Sequence, residues 1–275
     1  MQHNYSLQPF NTFGIDVKAK HFAAFSNTID LQNQLNTFPQ EELLILGGGS
    51  NMLFTQDFNG LVLRNEIKGI ELLAQNDNQV FVKAGAGENW HAFVQHCIAH
   101  NWAGLENLSL IPGSVGASPM QNIGAYGVEI KDVFHELSAF HIESGAIHTF
   151  NKAQCQFGYR ESVFKRALKN QYIITDVTFA LAKNPDLKTS YGAIQQELDA
   201  KGIQNPSIRD ISEAVIAIRQ SKLPDPAVLG NAGSFFKNPV IALDHIDVPD
   251  YLLRDELLHR KSDFALRYDS ARRWA

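Results

Sequence analysis

The sequence predicts an α+β protein of about two domains. Its 275 residues are 44% hydrophobic and only 19% charged, which is enough apolar material for a full core. Short strand patterns alternate with helical patterns along the chain, and the middle part is richer in strands of the antiparallel kind. This composition excludes disorder as the main state of the chain.

The first part of the chain has the pattern of a compact βαβ-like unit. We expect Ser26 to cap a helix that Pro39 ends. The last two strands of the unit flank a glycine-rich loop. The predicted elements are a strand at 20–25, the helix at 29–38, and strands at 42–46 and 60–63.

A second unit follows and ends in two helices. The segment 223–226, Leu-Pro-Asp-Pro, is a rigid break and a predicted domain boundary. The predicted strands are 79–84, 133–142, 146–150 and 172–181, and the predicted helices are 88–100, 193–200 and 207–222.

Charge and composition exclude several classes of protein. The formal net charge is −5 and no Lys/Arg cluster is present, so we expect no nucleic-acid or membrane partner. No apolar run approaches the roughly 20 residues that span a bilayer, and the first ten residues do not resemble a signal peptide, which favours a cytoplasmic protein. Cys97 and Cys155 lack metal or redox spacing, and we expect both to be reduced and structural.

Three glycine-rich loops are the main functional signal. They are 47–51 (GGGSN), 111–127 (IPGSVGASPMQNIGAYG) and 230–237 (GNAGSFFK). Glycine lets a backbone approach a ligand closely, so that successive N–H groups can face a phosphate or a flat ring. One such loop is usually only a turn, but long uncharged loops in compact domains are usually functional. The three loops together predict a buried cofactor cradle.

The common nucleotide and hydrolase motifs are absent. Met52 and Trp90 stand where two possible dinucleotide-binding turns need a third glycine, and no P-loop run exists. Pro112 replaces the first glycine of a nucleophile elbow around Ser114. These departures argue against Rossmann-type binding, P-loop phosphoryl transfer and serine hydrolysis.

The histidines, arginines and lysine that could have a functional role are supported to different degrees by the sequence. His96 and His100 lie one helical turn apart, but with no suitable further ligand nearby we assign no metal. Arg160, in GYRES, offers a planar fork that matches a carboxylate. Arg219 and Lys222 close a predicted helix, and a functional role is as well supported as simple complementation of the helix dipole.

Six motifs, taken together and in order, resemble the UDP-N-acetylenolpyruvoylglucosamine reductase family. The resemblance covers the chain from about Asn11 to Pro239, in the form of the family with a tyrosine-bearing insertion near Tyr191. The motifs are NTFGI (11–15), LGGGSNML (46–53), GLENLSLIPGSVGASPMQNIGAYG (104–127), FGYRESVFK (157–165), RQSKLPDP (219–226) and GNAGSFFKNP (230–239).

The resemblance implies an FAD-binding fold of the vanillyl-alcohol-oxidase (PCMH) type. Two α+β subdomains, 1–70 and 71–222, would hold the flavin, with the flavin region at about 14–184, and 223–275 would be an incomplete substrate-binding domain. By motif position, the residues implied to bind FAD are Gly47, Gly48, Gly49, Ser50, Asn51, Pro112, Gly113, Ser114, Gly116 and Ala117.

The resemblance also implies a reaction in two halves. NADPH reduces the flavin, which then transfers hydride to the enolpyruvyl double bond of a UDP-sugar. Arg160 would stabilise the substrate carboxylate and the enolate-like intermediate, and Ser234 would donate the proton. We expect a monomer. The residues implied to contact the substrate are Tyr126, Tyr159, Tyr191, Lys222 and Asn238.

The resemblance ends at Pro239 or Val240. The family carries a catalytic glutamate near its C-terminus, and Glu256 lies in a different sequence context. This departure predicts FAD binding with impaired or absent turnover. Two alternatives remain open, a flavin-binding product without catalysis and a different flavin oxidoreductase on the same fold.

Overall fold

The computed structural model describes residues 1–233 of the chain. The chain divides into two compact units, 1–232 and 233–275, and every helix and strand of the described residues lies in the first. The division into 1–70, 71–222 and 223–275 stays a prediction. The strands are β1 (Gln2–Ser6), β2 (Lys18–Phe25), β3 (Leu43–Leu46), β4 (Phe58–Asn65), β5 (Ile70–Gln75), β6 (Gln79–Gly85), β7 (Gly124–Ala125), β8 (Val128–Glu129), β9 (Phe134–His141), β10 (Ile147–Asn151) and β11 (Tyr172–Ala182). The helices are α1 (Thr28–Thr37), α2 (Trp90–Ala99), α3 (Lys152–Cys155), α4 (Gly192–Ala200) and α5 (Ile208–Lys222).

The first sheet has the strand order β1-β2-β4-β3. Strands β2 and β3 are both parallel to β4, and β1 pairs antiparallel with β2 at the edge. Helix α1 connects β2 to β3 and buries Leu31 against Leu61 and Leu63 of β4. The predicted βαβ-like arrangement is therefore present, with β4 inserted between the two strands that the helix connects.

The N-cap of α1 is Asn27, so the prediction of Ser26 is wrong. The Asn27 side chain accepts a hydrogen bond of 2.8 Å from the Asp30 backbone N–H. The Ser26 hydroxyl instead donates to the Asp30 carboxylate at 2.9 Å. Both residue types cap helices well, and the choice between neighbours depends on where the preceding strand ends.

The second sheet is fully antiparallel and has the order β10-β9-β11-β6-β5. Helix α2 packs on this sheet and buries Trp90 and Phe93 against Phe179 of β11. The indole N–H of Trp90 donates to the Leu108 carbonyl at 2.9 Å, which satisfies a polar atom inside the core. This core fixes the start of α2, next to which the second glycine-rich loop lies.

Helices α4 and α5 form a pair with its own apolar core. Ser207 caps α5 and forms a capping box with Asp210, so the helix predicted at 207–222 is present. Further along α5, Ser212 shares a buried hydroxyl–hydroxyl hydrogen bond of 2.7 Å with Ser109. Helix α5 has 15 residues and is the longest helix in the described part of the chain. No helix in that part is long and apolar enough to cross a membrane.

Candidate functional site

The first two glycine-rich loops lie against each other. A Cβ atom on Gly48 would lie 2.7 Å from the Cα of Gly113, so the two backbones touch where both residues lack side chains. Gly49 has φ +60°, and a Cβ there would lie 1.9 Å from the carbonyl oxygen of Phe10. Only glycine fits this position, for steric and conformational reasons together.

Backbone hydrogen bonds fix the second loop to the segment that begins α2. Trp90 N–H donates to the Gly113 carbonyl at 3.0 Å, and Val115 N–H donates to the Glu88 carbonyl at 2.9 Å. A third bond of 2.9 Å runs from Gly116 N–H to the Ala86 carbonyl. The loop is therefore held on a rigid element, as an accurate binding site requires.

The free backbone amides of the two loops fit a diphosphate. Among the described residues, the five consecutive N–H groups from Gly47 to Asn51 donate to no protein acceptor, and neither do those of Gly113 and Ser114. Gly49 is buried, and a buried amide requires an acceptor. Clustered amide groups without neighbouring charges bind phosphate oxygens well. The residues present thus suit the diphosphate of FAD.

The third loop begins beside the first. Thr12 N–H donates to the Gly49 carbonyl at 3.1 Å, and the Thr12 carbonyl accepts from Asn231 N–H at 3.0 Å. A Cβ on Gly230 would lie 2.2 Å from the Phe13 carbonyl oxygen, so this contact is also backbone against backbone. The predicted catalytic Ser234 and substrate-binding Asn238 lie outside the described residues.

Arg160 occupies a strained position in a tight hairpin. Gly158 and Glu161 exchange backbone hydrogen bonds of 3.0 and 3.2 Å, which leaves Tyr159 and Arg160 as the two turn residues. Arg160 has φ +55°, a conformation that costs a non-glycine residue about 1–2 kcal/mol. Such strain is typical of functional positions, where the surrounding structure enforces it.

The Arg160 guanidinium lies against the short β7–β8 hairpin. Its Nη2 donates to the Gly124 carbonyl, and its Nη1 lies 3.6 Å from Oε1 of Glu129. The Cζ atom is 5.1 Å from the centre of the Tyr159 ring, within range of a cation–π contact. The side chain is 28% exposed, so the charge is partly buried but still reaches solvent or a ligand.

Two of the predicted substrate tyrosines meet at the tip of the same hairpin. The rings of Tyr126 and Tyr191 are 5.3 Å apart and nearly perpendicular. Arg219 of α5 donates from Nε to the Leu110 carbonyl at 3.1 Å, and its charge lies close enough to the Tyr126 hydroxyl to affect the pKa of that group. Burial raises the pKa of Tyr126, although the Arg219 charge opposes this shift, so the phenol stays protonated at neutral pH.

Arg219 therefore does more than complement its own helix dipole. It joins α5 to Leu110, the residue just before the second glycine-rich loop, and burial lowers its pKa. The backbone N–H of Leu110 also donates to Nδ1 of His91 at 2.9 Å. Burial, followed by the Arg219 charge, lowers the pKa of His91 and favours the neutral ring that this bond needs. Lys222 ends α5 and is exposed.

His96, His100 and the two cysteines lie outside these loops. The rings of His96 and His100 are 4.4 Å apart and tilted, and His100 stacks on Trp102. The part of the chain that the structure describes contains no group of three or more residues placed to hold a metal. Cys97 and Cys155 are buried, and burial raises the pKa of both thiols, that of Cys155 to about 12.

The hairpin β7–β8 brings Arg160 together with two of the predicted substrate tyrosines. Arg160 lies at its base, Tyr126 at its tip, and Tyr191 lies on Tyr126. Sequence reasoning did not single out Glu129 or the buried Asn122, whose side chain donates to Glu129 at 2.9 Å. Both lie within or just beyond the longest glycine-rich loop, where their polar side chains were the only available signal.

Comparison with known proteins gives consistent results. Residues 19–151 match the model of an FAD binding domain. The chain is 53% identical over 238 residues to UDP-N-acetylenolpyruvoylglucosamine reductase of Chromobacterium violaceum, covering 86% of this chain and 70% of that protein. It is 52% identical over 242 residues to the reductase of the same name from Flavobacterium johnsoniae, covering 88% and 72%. The crystal structure of UDP-N-acetylenolpyruvylglucosamine reductase from Thermus caldophilus superposes with a TM-score of 0.64 at 24% identity, over 86% of this chain and 74% of that one.

These matches confirm the predicted α+β, FAD-binding fold and the predicted family resemblance. The 24% identical structure supports the fold alone. The roles of individual residues stay predictions. Because relatives more than 50% identical share the name over most of their length, the chain belongs to the UDP-N-acetylenolpyruvoylglucosamine reductase family of FAD-binding oxidoreductases.

Proposed function

We propose that the chain catalyses the NADPH-dependent reduction of the enolpyruvyl double bond of UDP-N-acetylglucosamine enolpyruvate. The product is UDP-N-acetylmuramate, a precursor of peptidoglycan. The observation that carries the proposal is the position of Arg160, a partly buried guanidinium fixed on the hairpin that ends the second glycine-rich loop. A cation at this point suits a substrate that carries a carboxylate on the carbon framework to be reduced.

When bound, FAD supplies the hydride chemistry, since it accepts a hydride from NADPH and passes it to one carbon of the double bond. Arg160 binds the substrate carboxylate and stabilises the negative charge that develops when the hydride adds. Ser234 then gives a proton to the other carbon, which balances the addition of hydride and proton across the double bond. The assignment of Ser234 rests on its motif, AGSFF, because the residue lies outside the described part.

The tyrosines around Arg160 supply the rest of the substrate pocket. Tyr126 stays neutral because burial raises its pKa, so its hydroxyl can donate a hydrogen bond to a diphosphate or sugar oxygen. Tyr191 is 43% exposed and lies against Tyr126, which makes it available to a ligand. We propose that Tyr159, Lys222 and Asn238 complete the contacts with the nucleotide sugar.

We further propose a cytoplasmic monomer. The proposed substrate and NADPH are cytoplasmic metabolites, and all residues assigned to the site come from one chain. Light scattering on the purified protein tests the oligomeric state, and a mass of twice 30.7 kDa would contradict it.

The two half-reactions test the function separately. Full-length protein is incubated with FAD, freed from unbound flavin by gel filtration, and reduced with NADPH under anaerobic conditions. We expect retained flavin absorbance, bleaching by NADPH, and slow recovery of the absorbance on addition of UDP-N-acetylglucosamine enolpyruvate, since the sequence predicts impaired turnover. Colourless protein would refute FAD binding. Bleaching without recovery would instead favour the alternative, a flavin-binding protein without catalysis.

A further inference from the structure

The hairpin β7–β8 has a geometry that places Glu129 at a fixed point. Its two turn residues, Tyr126 and Gly127, have φ +48° and +82°, the combination of a type I′ turn. In this register Gly124 pairs directly with Glu129 across the hairpin. The carboxylate of Glu129 and the carbonyl of Gly124 therefore lie together at the hairpin base, where Arg160 binds.

The Glu129 carboxylate is held on the side away from Arg160. Its Oε2 accepts from the Asn122 side chain at 2.9 Å and lies 2.8 Å from Nζ of Lys131, while Oε1 lies 3.6 Å from Nη1 of Arg160. The side chain is only 14% exposed. The buried Asn122 amide thus fixes the carboxylate before it meets the guanidinium, while the ion pair with the 39% exposed Lys131 side chain adds little.

Asn122 connects this carboxylate to the Arg160 turn itself. The residue is fully buried and has φ +44°. Its amide group donates to both the Glu129 carboxylate and the Gly158 carbonyl, the latter at 3.0 Å, and its oxygen accepts from Lys131 N–H at 3.1 Å. A buried amide that makes these three hydrogen bonds is costly to move, so it holds the Arg160 turn and Glu129 in fixed relative positions.

The guanidinium occupies space that a side chain at position 124 would need. A Cβ on Gly124 would lie 2.8 Å from Nη1 of Arg160 and 2.7 Å from Cγ of Glu129. Because position 124 has no side chain, the guanidinium can lie directly against the hairpin backbone. Packing from one side and the carboxylate from another leave Arg160 little freedom to change its orientation.

We propose that Glu129 is a positioning residue, which with Asn122 orients the Arg160 guanidinium toward the substrate carboxylate. The inference rests on the proposed function of Arg160. Glu129 acts through Arg160 and does not itself touch the substrate. The alternative is a structural role in the hairpin alone, since Glu129 N–H also bonds Asp132 at 2.9 Å.

The variant Glu129→Gln separates these roles, because it keeps an acceptor for Asn122 and removes the charge that faces Arg160. We expect flavin reduction by NADPH to stay within about twofold of wild type, and oxidation of the reduced flavin by the enolpyruvyl nucleotide to slow by about 10- to 100-fold, the range for a misplaced catalytic group. Lys131→Met is the matched control. Lys131 binds the same carboxylate but is 39% exposed, and we expect both half-reactions to be unchanged.

A second measurement does not depend on turnover. In full-length protein labelled with ¹⁵N-arginine, the Arg160 guanidinium signal is identified by its loss in Arg160→Lys. We expect separate Nη signals in wild type and Lys131→Met, and merged signals from free rotation in Glu129→Gln. Thermal unfolding checks that each variant is folded.

The outcomes distinguish the inference from the function it rests on. An unchanged Arg160 signal in folded Glu129→Gln would overturn the positioning role, as would equal slowing of both half-reactions. If wild type fails to oxidise its reduced flavin but the Arg160 signals merge in the variant as expected, the proposed function is wrong and the positioning of Arg160 by Glu129 stands.

Discussion

Replacing Gly48 with alanine tests whether the contact between the two glycine-rich loops shapes the FAD site. The new Cβ would lie 2.7 Å from the Cα of Gly113, whereas ordinary van der Waals contact begins at 3.4 Å. The loops must therefore separate by about 0.7 Å, because the atom that is met belongs to backbone and cannot rotate away. Overpacking of this kind costs about 1–3 kcal/mol.

This cost appears mainly as lost FAD affinity. On the prediction that the amides of both loops bind one diphosphate, moving one loop relative to the other would remove bonds to that group. At about tenfold in Kd for each 1.4 kcal/mol, we expect the Kd for FAD to rise by about 5- to 150-fold. Fluorescence quenching of FAD on titration with apoprotein measures this Kd directly.

The matched control is Gly192→Ala. Gly192 begins α4, and a Cβ there meets no atom within 4 Å, so we expect FAD affinity to stay as in wild type. If circular dichroism shows that Gly48→Ala is folded and the variant binds FAD as tightly as wild type, the contact between Gly48 and Gly113 does not determine the shape of the FAD site.

Further predictions concern Arg160, His91 and the cysteines. Arg160→Lys keeps the positive charge but loses the planar guanidinium. Stopped-flow measurements should show flavin oxidation by the nucleotide substrate slowed by at least about tenfold, with little change in flavin reduction. Equal slowing of both half-reactions would contradict the role of Arg160. The pKa of His91 is lowered in the folded protein, so the unfolded state binds more protons and the free energy of unfolding should fall as the pH drops below about 6.5, the ordinary value. The variant His91→Asn keeps an acceptor for Leu110 N–H and should reduce this pH dependence in urea unfolding curves. An unchanged pH dependence in the variant would contradict the assignment to His91. Cys97 and Cys155 should not react with Ellman's reagent at pH 7.5 until the protein is unfolded, because burial raises both thiol pKa values; rapid reaction of folded protein would show that the thiols are accessible.

The elements that the sequence predicts well are those with strong local signals. Helix α5 has an N-cap, a capping box and one apolar face, and its predicted bounds agree with the structure. Strand β11 is a long, mostly buried apolar run. In both, local propensity and burial favour the same conformation.

Strands β1 and β5 were missed because they are edge strands. Both are largely exposed, so their side chains carry little hydrophobic alternation. Their conformation comes from pairing with β2 and β6, which is a property of the tertiary structure. Hairpin β7–β8 was missed for a different reason, since two residues a strand are too few to show any period.

The residues of the candidate site also divide into those with a local sequence signal and those placed by tertiary contacts. The glycine-rich loops and Arg160 could be selected from sequence because unusual composition marks them. Their partners could not, because Glu129 and Arg160 are 31 positions apart and meet only through the hairpin register. The structure also gives a different reason for the glycines than the sequence did. Gly48 and Gly49 are needed first for close contact between protein backbones, and the ligand benefits from the amides that this contact leaves free.

The bridge through Thr12 has a consequence for synthesis of the protein. The segment around Phe10 and Thr12 can receive the first glycine-rich loop once residue 51 has left the ribosome. The second loop follows some 60 residues later, about 3–12 s at a rate of 5–20 residues per second. Asn231, which binds the other side of Thr12, is made after both loops. Until the second loop docks, the first loop's amides face water, so on the ribosome the nascent chain must wait for residues near 118 before it can hold its cofactor.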